Sequence, residues 1–280
     1  VGLPPVYAFP LVTKAQSKAI FGQLTWRVQD GLRLTAGARR TEDDKSRLGS
    51  TNFQQGPVFN PATDRAQLNT ASLAHGETTW RLGAEFDLAP TTLLYGSVAT
   101  GYKAGGFNDG CLAGSSAIGL TCPAATAVTE SALYYQPEQL RAYEAGLKSR
   151  LLGGRATFNA AAFYYDYTNL QLSGNAIVSG APRILTRNAG QARSRGIELD
   201  GEVRVGGNGR LSYSATLLDA EYVQYSPNGS VSWAGRPLDR APKHVYMLGY
   251  DHRFAVFGGQ LNAGVFARRS SEYVIAVPSQ

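Results

Sequence analysis

The sequence predicts an all-β fold, an antiparallel transmembrane β-barrel segment of about ten strands, and three observations indicate this class. Apolar and polar residues alternate with a period of two in segment after segment. These segments reach the roughly 9–11 residues that a tilted strand needs to cross the hydrocarbon of a bilayer. The connections between them alternate between tight turns and long loops, which is the arrangement of outer-membrane barrels.

The alternation is clearest in the segment 77–88. Trp80 and Leu82 fall on one face of an extended chain, whereas Arg81 and Glu85 fall on the other. A strand of this kind separates lipid from water. Similar segments predict strands at about 18–28, 32–45, 77–88, 91–103, 138–151, 155–172, 193–205, 210–225, 243–254 and 259–273. They pair into five hairpins, and long connections are predicted at roughly 46–76, 104–137, 173–192 and 226–242.

The composition narrows the class further. No stretch of the 280 residues approaches the roughly 20 consecutive apolar residues that a helix needs to cross a bilayer. The mean hydropathy of −0.20 still suits a membrane barrel, because barrel strands place apolar residues only at every second position. A soluble antiparallel sandwich also alternates, but it predicts shorter strands and no difference between odd and even connections.

The distribution of charge and of reactive residues bears on function. The net charge of +6 comes from Lys and Arg residues scattered singly, without the basic stripe that phosphate binding requires, so no nucleic-acid partner is expected. No catalytic, cofactor-binding or metal-binding residues are predicted. An outer-membrane protease of ten strands is an alternative, but His75 and His244 lack an obvious carboxylate cluster, and His252 lies near a short turn.

The polar faces of the strands predict a charged barrel interior. Burying these charges away from water and without partners would cost a large free energy, so this interior must be hydrated or filled by another polar protein element. An empty pore and a plugged barrel both remain open, and any single charge is also consistent with a cross-strand ion pair. The predicted interior charges are Arg81, Glu85, Glu144, Lys148, Glu198 and Asp200.

The long loops carry the candidate recognition residues. Ten residues separate Cys111 from Cys122 in loop 104–137, and a disulfide between them would stabilise the fold by about 2–3 kcal/mol. Two unpaired thiols are the alternative. Tyr134, Tyr135 and Trp233 are possible ligand-facing aromatics, although aromatic residues at loop bases also serve as girdle or packing residues.

Several stretches resemble the TonB-dependent outer-membrane receptors. The family's strand-and-loop motif, in which an aromatic residue, Lys and paired glycines lead into an external loop, is similar to the residues Gly101, Tyr102, Lys103, Gly105, Gly106, Phe107 and Asn108. Three other similar stretches follow the family's order, at 21–24 with 34–39, at 137–138 with 143–148, and at 188–190 with 194–199. Each motif alone is weak, but four in register are specific, and together they cover roughly residues 15 to 270.

The resemblance implies a barrel of about 22 strands with an N-terminal plug, of which residues 1–280 would be a single partial barrel domain. It implies active uptake of a scarce nutrient, with a ferric siderophore as the first candidate, across the outer membrane of a Gram-negative bacterium. Outer-membrane lipid, lipopolysaccharide, the iron chelate and a TonB complex acting through the plug would be the partners. The chain departs from the family pattern because it shows no plug, no TonB-contacting segment and no terminal aromatic strand.

Alternatives remain open for the mode of transport and for the transported solute. A passive porin or other structural barrel would have the same strands and the same charged interior. Cobalamin, heme and oligosaccharides also remain open as cargo beside ferric siderophores.

Overall fold

The computed structural model describes residues 6–108, 116–117, 120–121, 133–178, 181–226 and 231–275, and nearly all of them are extended chain. The strands are β1 (Val6–Ala8), β2 (Leu11–Gln29), β3 (Leu32–Gln54), β4 (Arg65–Ala89), β5 (Thr92–Lys103), β6 (Gly106–Phe107), β7 (Ser116–Ala117), β8 (Leu120–Thr121), β9 (Tyr134–Tyr135), β10 (Glu138–Leu151), β11 (Ala156–Thr168), β12 (Gln171–Val178), β13 (Ala181–Asn188), β14 (Gln191–Val205), β15 (Gly209–Gln224), β16 (His244–Val256) and β17 (Gly259–Ser270). One turn of 3-10 helix, Leu152–Gly154, joins β10 to β11.

Ten long strands form one antiparallel sheet, which we call the wall. Their order is β2, β3, β4, β5, β10, β11, β14, β15, β16 and β17, so strands that follow one another along the chain also pair in space. The short strand β1 continues the edge of β2 by pairing with the end of β3. Within the described sheet, β2 and β17 each pair with one neighbour. All ten strands predicted from the alternation are confirmed.

Two of the predicted long connections are wrong in part. The segment 46–76 is mostly strand, because β3 and β4 stay paired from Leu32↔Phe86 to Phe53↔Arg65. The segment 173–192 contains most of the hairpin β12–β13. The alternation gave no sign of these strands, because beyond the bilayer neither face of a hairpin meets lipid and apolar residues are not confined to one face. These two external connections are therefore built largely from paired strands.

The tip of the β3–β4 hairpin is organised by one carboxylate. The side chain of Asp64 accepts hydrogen bonds from the backbone N–H of Asn60 at 2.7 Å and from that of Gln55 at 3.0 Å. The hydrogen bond from the Asn60 backbone, followed by that from Gln55, holds the pKa of Asp64 below its ordinary value. An aspartate that bonds nearby backbone in this way stabilises a turn.

The outward face of the wall changes from apolar to polar along one line that crosses all ten strands. Cross-strand partners fix this level, for example Ala38↔Trp80 below it and Arg40↔Thr78 above it. Neighbouring strands agree to within one step of two residues. In each of the following pairs, given from β2 to β17, the first residue ends the apolar band and the second is the next outward residue toward the external end: Ile20 and Lys18, Ala38 and Arg40, Trp80 and Thr78, Val98 and Thr100, Tyr143 and Arg141, Tyr164 and Asp166, Ile197 and Arg195, Leu217 and Asp219, Tyr246 and His244, and Ala267 and Arg269.

The apolar band below this line has the height of a bilayer core. On β10 its outward residues run from Tyr143 to Leu151, which is roughly 27 Å of strand at about 3.4 Å per residue. Counted in residues, Tyr143 to Leu151 reaches the roughly 9–11 residues that a tilted strand needs to cross the hydrocarbon. Within the described ranges, no helix is long and apolar enough to cross a membrane.

The buried apolar side chains lie mostly at the polar, external end of the wall. A wall of one layer buries little in its own chain, whereas the external loops pack against one another and against the strand ends. The buried apolar residues there are Ala71, Leu133, Leu185, Ala189, Ala192, Ala220, Tyr222 and Trp233, and Ala156 is buried at the opposite end. The external end of the wall therefore has a small hydrophobic core of its own.

Candidate functional site

The segment Gly101–Asn108, which carries the loop motif, lies at the root of loop 104–137 against the external part of β3. The Lys45 ammonium donates to the carbonyl oxygen of Gly105 at 2.6 Å, and the Arg47 guanidinium donates to that of Asn108 at 2.6 Å. The Tyr102 hydroxyl donates to Asp43 at 2.6 Å, so Tyr102 belongs to this contact and not to the lipid-facing girdle. Because Arg47 is only 3% exposed, the contact excludes most solvent.

The two ends of loop 104–137 close on each other. Residues Gly106–Phe107 pair with Tyr134–Tyr135 as a short antiparallel ladder, and the N–H of Asn108 donates to the carbonyl of Leu133 at 2.6 Å. A Cβ on Gly105 would stand 2.5 Å from the carbonyl oxygen of Tyr135. The paired glycines of the motif therefore allow this close approach of two backbone segments.

Gly105→Ala is expected to loosen the loop root, because the carbonyl oxygen that its Cβ would meet is backbone and cannot move aside. We expect a local cost of about 1–3 kcal/mol. Hydrogen exchange in the full-length gene product should then be faster over 133–137. Gly56→Ala is the matched control, since a Cβ on this external glycine meets nothing within 4 Å. Equal exchange in the two variants would contradict the close approach.

The predicted ligand-facing aromatics have different surroundings. Tyr134 and Tyr135 are half-buried at the loop root, where part of each side chain reaches solvent. Trp233 is only 8% exposed. Its ring lies 5.7 Å from that of Tyr222 and 5.2 Å from that of Tyr225. Trp233 thus serves as a packing residue in this structure, and its ring is covered.

The disulfide candidate of Cys111 and Cys122 lies outside the described residues. His75, considered for a hydrolytic role, hydrogen-bonds Glu77 at 3.1 Å. The part of the chain that the structure describes contains no group of three or more His, Cys, Asp or Glu residues arranged to hold a metal ion.

Four of the six predicted interior charges come together on the inner face of β10 and β14. They line a depression of about 280 Å³ with Tyr95, Tyr165 and Asn159. Glu144, Glu198 and Asp200 carry three formal negative charges there against the one positive charge of Lys148. The depression therefore has a formal charge of −2 and suits a cationic or hydrogen-bond-donating partner.

Hydrogen bonds hold two of the three acidic side chains of this depression, Glu144 and Asp200, in place. Glu144 accepts from the Tyr95 hydroxyl at 2.8 Å and from the Tyr165 hydroxyl at 3.5 Å. Asp200 accepts from the Asn159 amide at 2.9 Å. The bonds to neutral donors leave the carboxylate charges uncompensated, and each carboxylate keeps lone pairs free for further donors. We call Glu144, Lys148, Glu198 and Asp200 the inner acidic patch.

The other two predicted interior charges lie apart from this patch. Glu85 accepts from Arg33 at 3.0 Å, and Arg33 also forms two bonds with Asp87 at 2.6 and 2.8 Å. Glu85 is therefore part of a cross-strand ion-pair group near the short turns. Arg81 lies in register with Gly37 and Ala99, neither of which is charged.

Sequence reasoning missed three residues that hold the loop root, namely Lys45, Arg47 and Gln171, and it marked Asn188 only as part of a family-like stretch. All of them bond to backbone carbonyl or N–H groups that are distant in sequence. Arg47 and Asn188 lie in segments predicted as loops, and Lys45 and Gln171 lie at the ends of predicted strands, where the periodicity does not reveal a bond to another segment. No local signal identifies such contacts.

Comparison with known proteins gives the family. The sequence matches the family described as TonB dependent receptor-like, beta-barrel, over residues 3–277. It is 25% identical over 233 residues to the pesticin receptor of Yersinia pestis, and 24% identical to that of Yersinia enterocolitica. These alignments cover 83% of this chain but 29% of the receptors, so the chain spans less than a third of the length of these curated relatives.

Solved structures share the fold. The ferric yersiniabactin uptake receptor of Yersinia pestis matches with a TM-score of 0.68 and 18% identity, over 91% of this chain and 34% of that one. The ferric-catecholate import receptor of E. coli K12 matches with a TM-score of 0.63 and 18% identity, over 94% of this chain and 36% of that one. A copper transporter matches with a TM-score of 0.64 and 17% identity, over 91% of this chain and 36% of that one.

These relatives are transport receptors and not enzymes, which removes the protease alternative. The shared fold with known barrels likewise removes the soluble sandwich. The resemblance drawn from the four motifs is confirmed, because the family match extends over nearly the whole chain. The chain belongs to the TonB-dependent receptor-like β-barrel family, whose members are outer-membrane β-barrels.

Proposed function

We propose that this chain forms part of the wall, the inner lining and the external loops of an outer-membrane receptor that takes up a ferric siderophore in a Gram-negative bacterium. The observation that carries the proposal is a continuous lipid-facing band on one side of the wall with an acidic patch on the other, in a member of this receptor family. Energy would come from a TonB complex that acts on a plug inside the completed barrel.

The chemistry of the chain favours a chelated ferric ion over a soft metal ion as the cargo. Copper sites draw on Met, Cys and His ligands, and the chain contains one Met, two Cys and three His residues. A siderophore brings its own iron ligands, so its receptor needs aromatic and polar contacts and no metal-ligand cluster. Tyr134 and Tyr135, half-buried at the loop root, are the residues we propose for such contacts.

Uptake by the full-length gene product tests this function. It would be expressed in a bacterium that lacks its own siderophore receptors, under iron limitation, with and without a working TonB complex. We expect growth and iron accumulation with ferric yersiniabactin or a ferric catecholate, and only when TonB is active. TonB-independent entry of small solutes would instead support a passive porin, and accumulation of copper alone would assign the other cargo.

The inner acidic patch is proposed to hold the plug. A depression with a formal charge of −2 favours a filling element that brings basic or N–H donor groups to this place. We expect Glu144→Gln together with Glu198→Gln to loosen the plug, so that cells become more sensitive to a large antibiotic that the outer membrane normally excludes. Glu42→Gln is the control, because Glu42 is exposed on the outward face of β3. Unchanged permeability in the double variant would argue against this role.

A further inference from the structure

Three amide side chains join the root of loop 104–137 to the hairpin β12–β13. The amide of Asn108 donates to the carbonyl oxygen of Thr186 at 2.8 Å and accepts from the Thr186 N–H at 2.7 Å. These two bonds reproduce one rung of an antiparallel ladder, because a carboxamide presents a donor and an acceptor side by side as a peptide group does. The side chain of Asn108 therefore pairs like a strand residue with a hairpin that is distant in sequence.

Asn188 makes the same contact in the opposite direction. Its side chain accepts from the N–H of Gln136 at 2.7 Å and donates to the carbonyl oxygen of Gln136 at 2.8 Å, as well as to that of Asn169 at 2.8 Å. The hairpin thus reaches the far end of loop 104–137, whereas Asn108 reaches from the near end to the hairpin. The two contacts are reciprocal.

Gln171 bonds both ends of the loop at once. Its amide nitrogen donates to the carbonyl oxygens of Ala104 at 3.1 Å and of Gln136 at 3.0 Å. Its backbone N–H donates to the carboxylate of Glu138 at 2.7 Å. We call Asn108, Gln171 and Asn188 the amide clamp.

The setting of the Asn108 bonds favours strong and specific contacts, whereas the bonds of Asn188 lie in more exposed surroundings. Leu133, whose carbonyl accepts from Asn108 N–H, is 0% exposed, and Leu185, which precedes Thr186, is 3% exposed. Hydrogen bonds beside such dry side chains are costly to leave unmade. On the opposite side, Lys45 and Arg47 bond the same segment from β3. The loop root is thereby fixed from two directions.

We propose that the amide clamp consists of positioning residues, which hold the root of loop 104–137, at 104–108 and 133–137, against the hairpin β12–β13 and so set the geometry of the external ligand-binding surface. This inference rests on the proposed function for its effect on ligand affinity. The clamp itself requires only the described contacts. Its role is to spare the ligand the cost of ordering two separate segments.

The signature of a clamp is a reciprocal effect across segments. In the full-length gene product, Asn188→Asp replaces the donor with a carboxylate that faces the carbonyl oxygens of Gln136 and Asn169. Hydrogen exchange should become faster over 133–137, which Asn188 does not belong to. Asn108→Asp should likewise accelerate exchange over 181–188. Asn208→Asp is the matched control, because Asn208 is exposed in a short turn at the opposite end of the wall.

The effect of Asn188→Asp on uptake distinguishes a residue that positions the loop root from one that only supports folding of the receptor. With ferric yersiniabactin as the probe, or a ferric catecholate if the first is not taken up, we expect Asn188→Asp to raise the half-saturating concentration about tenfold. The maximal rate per folded receptor should stay unchanged. A fall in the amount of folded receptor with an unchanged half-saturating concentration would overturn the positioning role.

The hydrogen-exchange measurement tests whether the clamp holds the two segments together, and this test does not depend on transport. Faster exchange in both distant segments supports it, and unchanged exchange in either segment overturns it, whether or not the receptor takes up either probe. If the unaltered receptor takes up neither probe, the proposed function fails for those siderophores while the clamp is still decided.

Discussion

Ala84→Arg is expected to block stable insertion of the wall into the membrane. Ala84 lies on the outward face of β4, midway between Trp80 and Leu88, and its side chain is exposed. Its cross-strand partners on the same face are Leu34 and Gly96. An arginine at this depth has no water and no counter-charge, and such substitutions cost about 2–4 kcal/mol at the bilayer midplane.

Folding of the full-length gene product into lipid vesicles measures this cost, by the change in its mobility on unheated gels and by the denaturant midpoint. Ala74→Arg is the matched control, because Ala74 is exposed on the same face of the same strand but above the apolar band, opposite Asp44. We expect the control to fold like the unaltered protein. Equal loss of folding in both variants would mean that the outward face does not meet lipid where the band is drawn.

The alternation of residues was sufficient to predict the wall because lipid on one side acts on every second side chain. Trp80 and Leu82 on one face and Arg81 on the other define both the strand and its orientation. Above the bilayer this constraint ends. Asp43 and Asp44 are adjacent and equally polar, yet Asp43 is 9% exposed under the Tyr102 hydroxyl while Asp44 is exposed. The pattern therefore predicted this strand only as far as residue 45 and missed its continuation to Gln54.

The candidate site was predictable only as far as its motif. The paired glycines marked the loop root, and the structure supplies their reason in the close approach of Tyr135 to Gly105. The bonds from Lys45 and Asn188 depend on how separate hairpins meet, which no local pattern encodes. The interior charges were predicted as a set, but the register of the strands decides that Glu144 shares a depression with Glu198.

Trp233→Ala is expected to destabilise the external core by about 3 kcal/mol, because removing a buried aromatic ring leaves a cavity that the neighbouring side chains fill only in part. The ring contacts Tyr222, which is 1% exposed, and Tyr225, and the Arg236 guanidinium lies 5.4 Å from its centroid. Segment 231–242 is held to β15 by backbone bonds that include Gly235 N–H to Tyr222 and Leu238 N–H to Ala220. Loss of the ring should weaken these bonds together.

Hydrogen exchange over 220–242 in the full-length gene product measures this effect, and the same variants distinguish packing from ligand contact. Trp233→Phe should keep most of the protection because a ring remains, and Phe59→Ala should leave it unchanged because Phe59 is 36% exposed in the tip of the β3–β4 hairpin. If Trp233→Ala leaves exchange unchanged but weakens binding of a ferric siderophore, then Trp233 contacts the ligand, as its position in a loop first suggested. If exchange accelerates, the burial of the ring explains its presence in the loop, and the search for ligand contacts moves to Tyr134 and Tyr135, which are half-buried at the loop root.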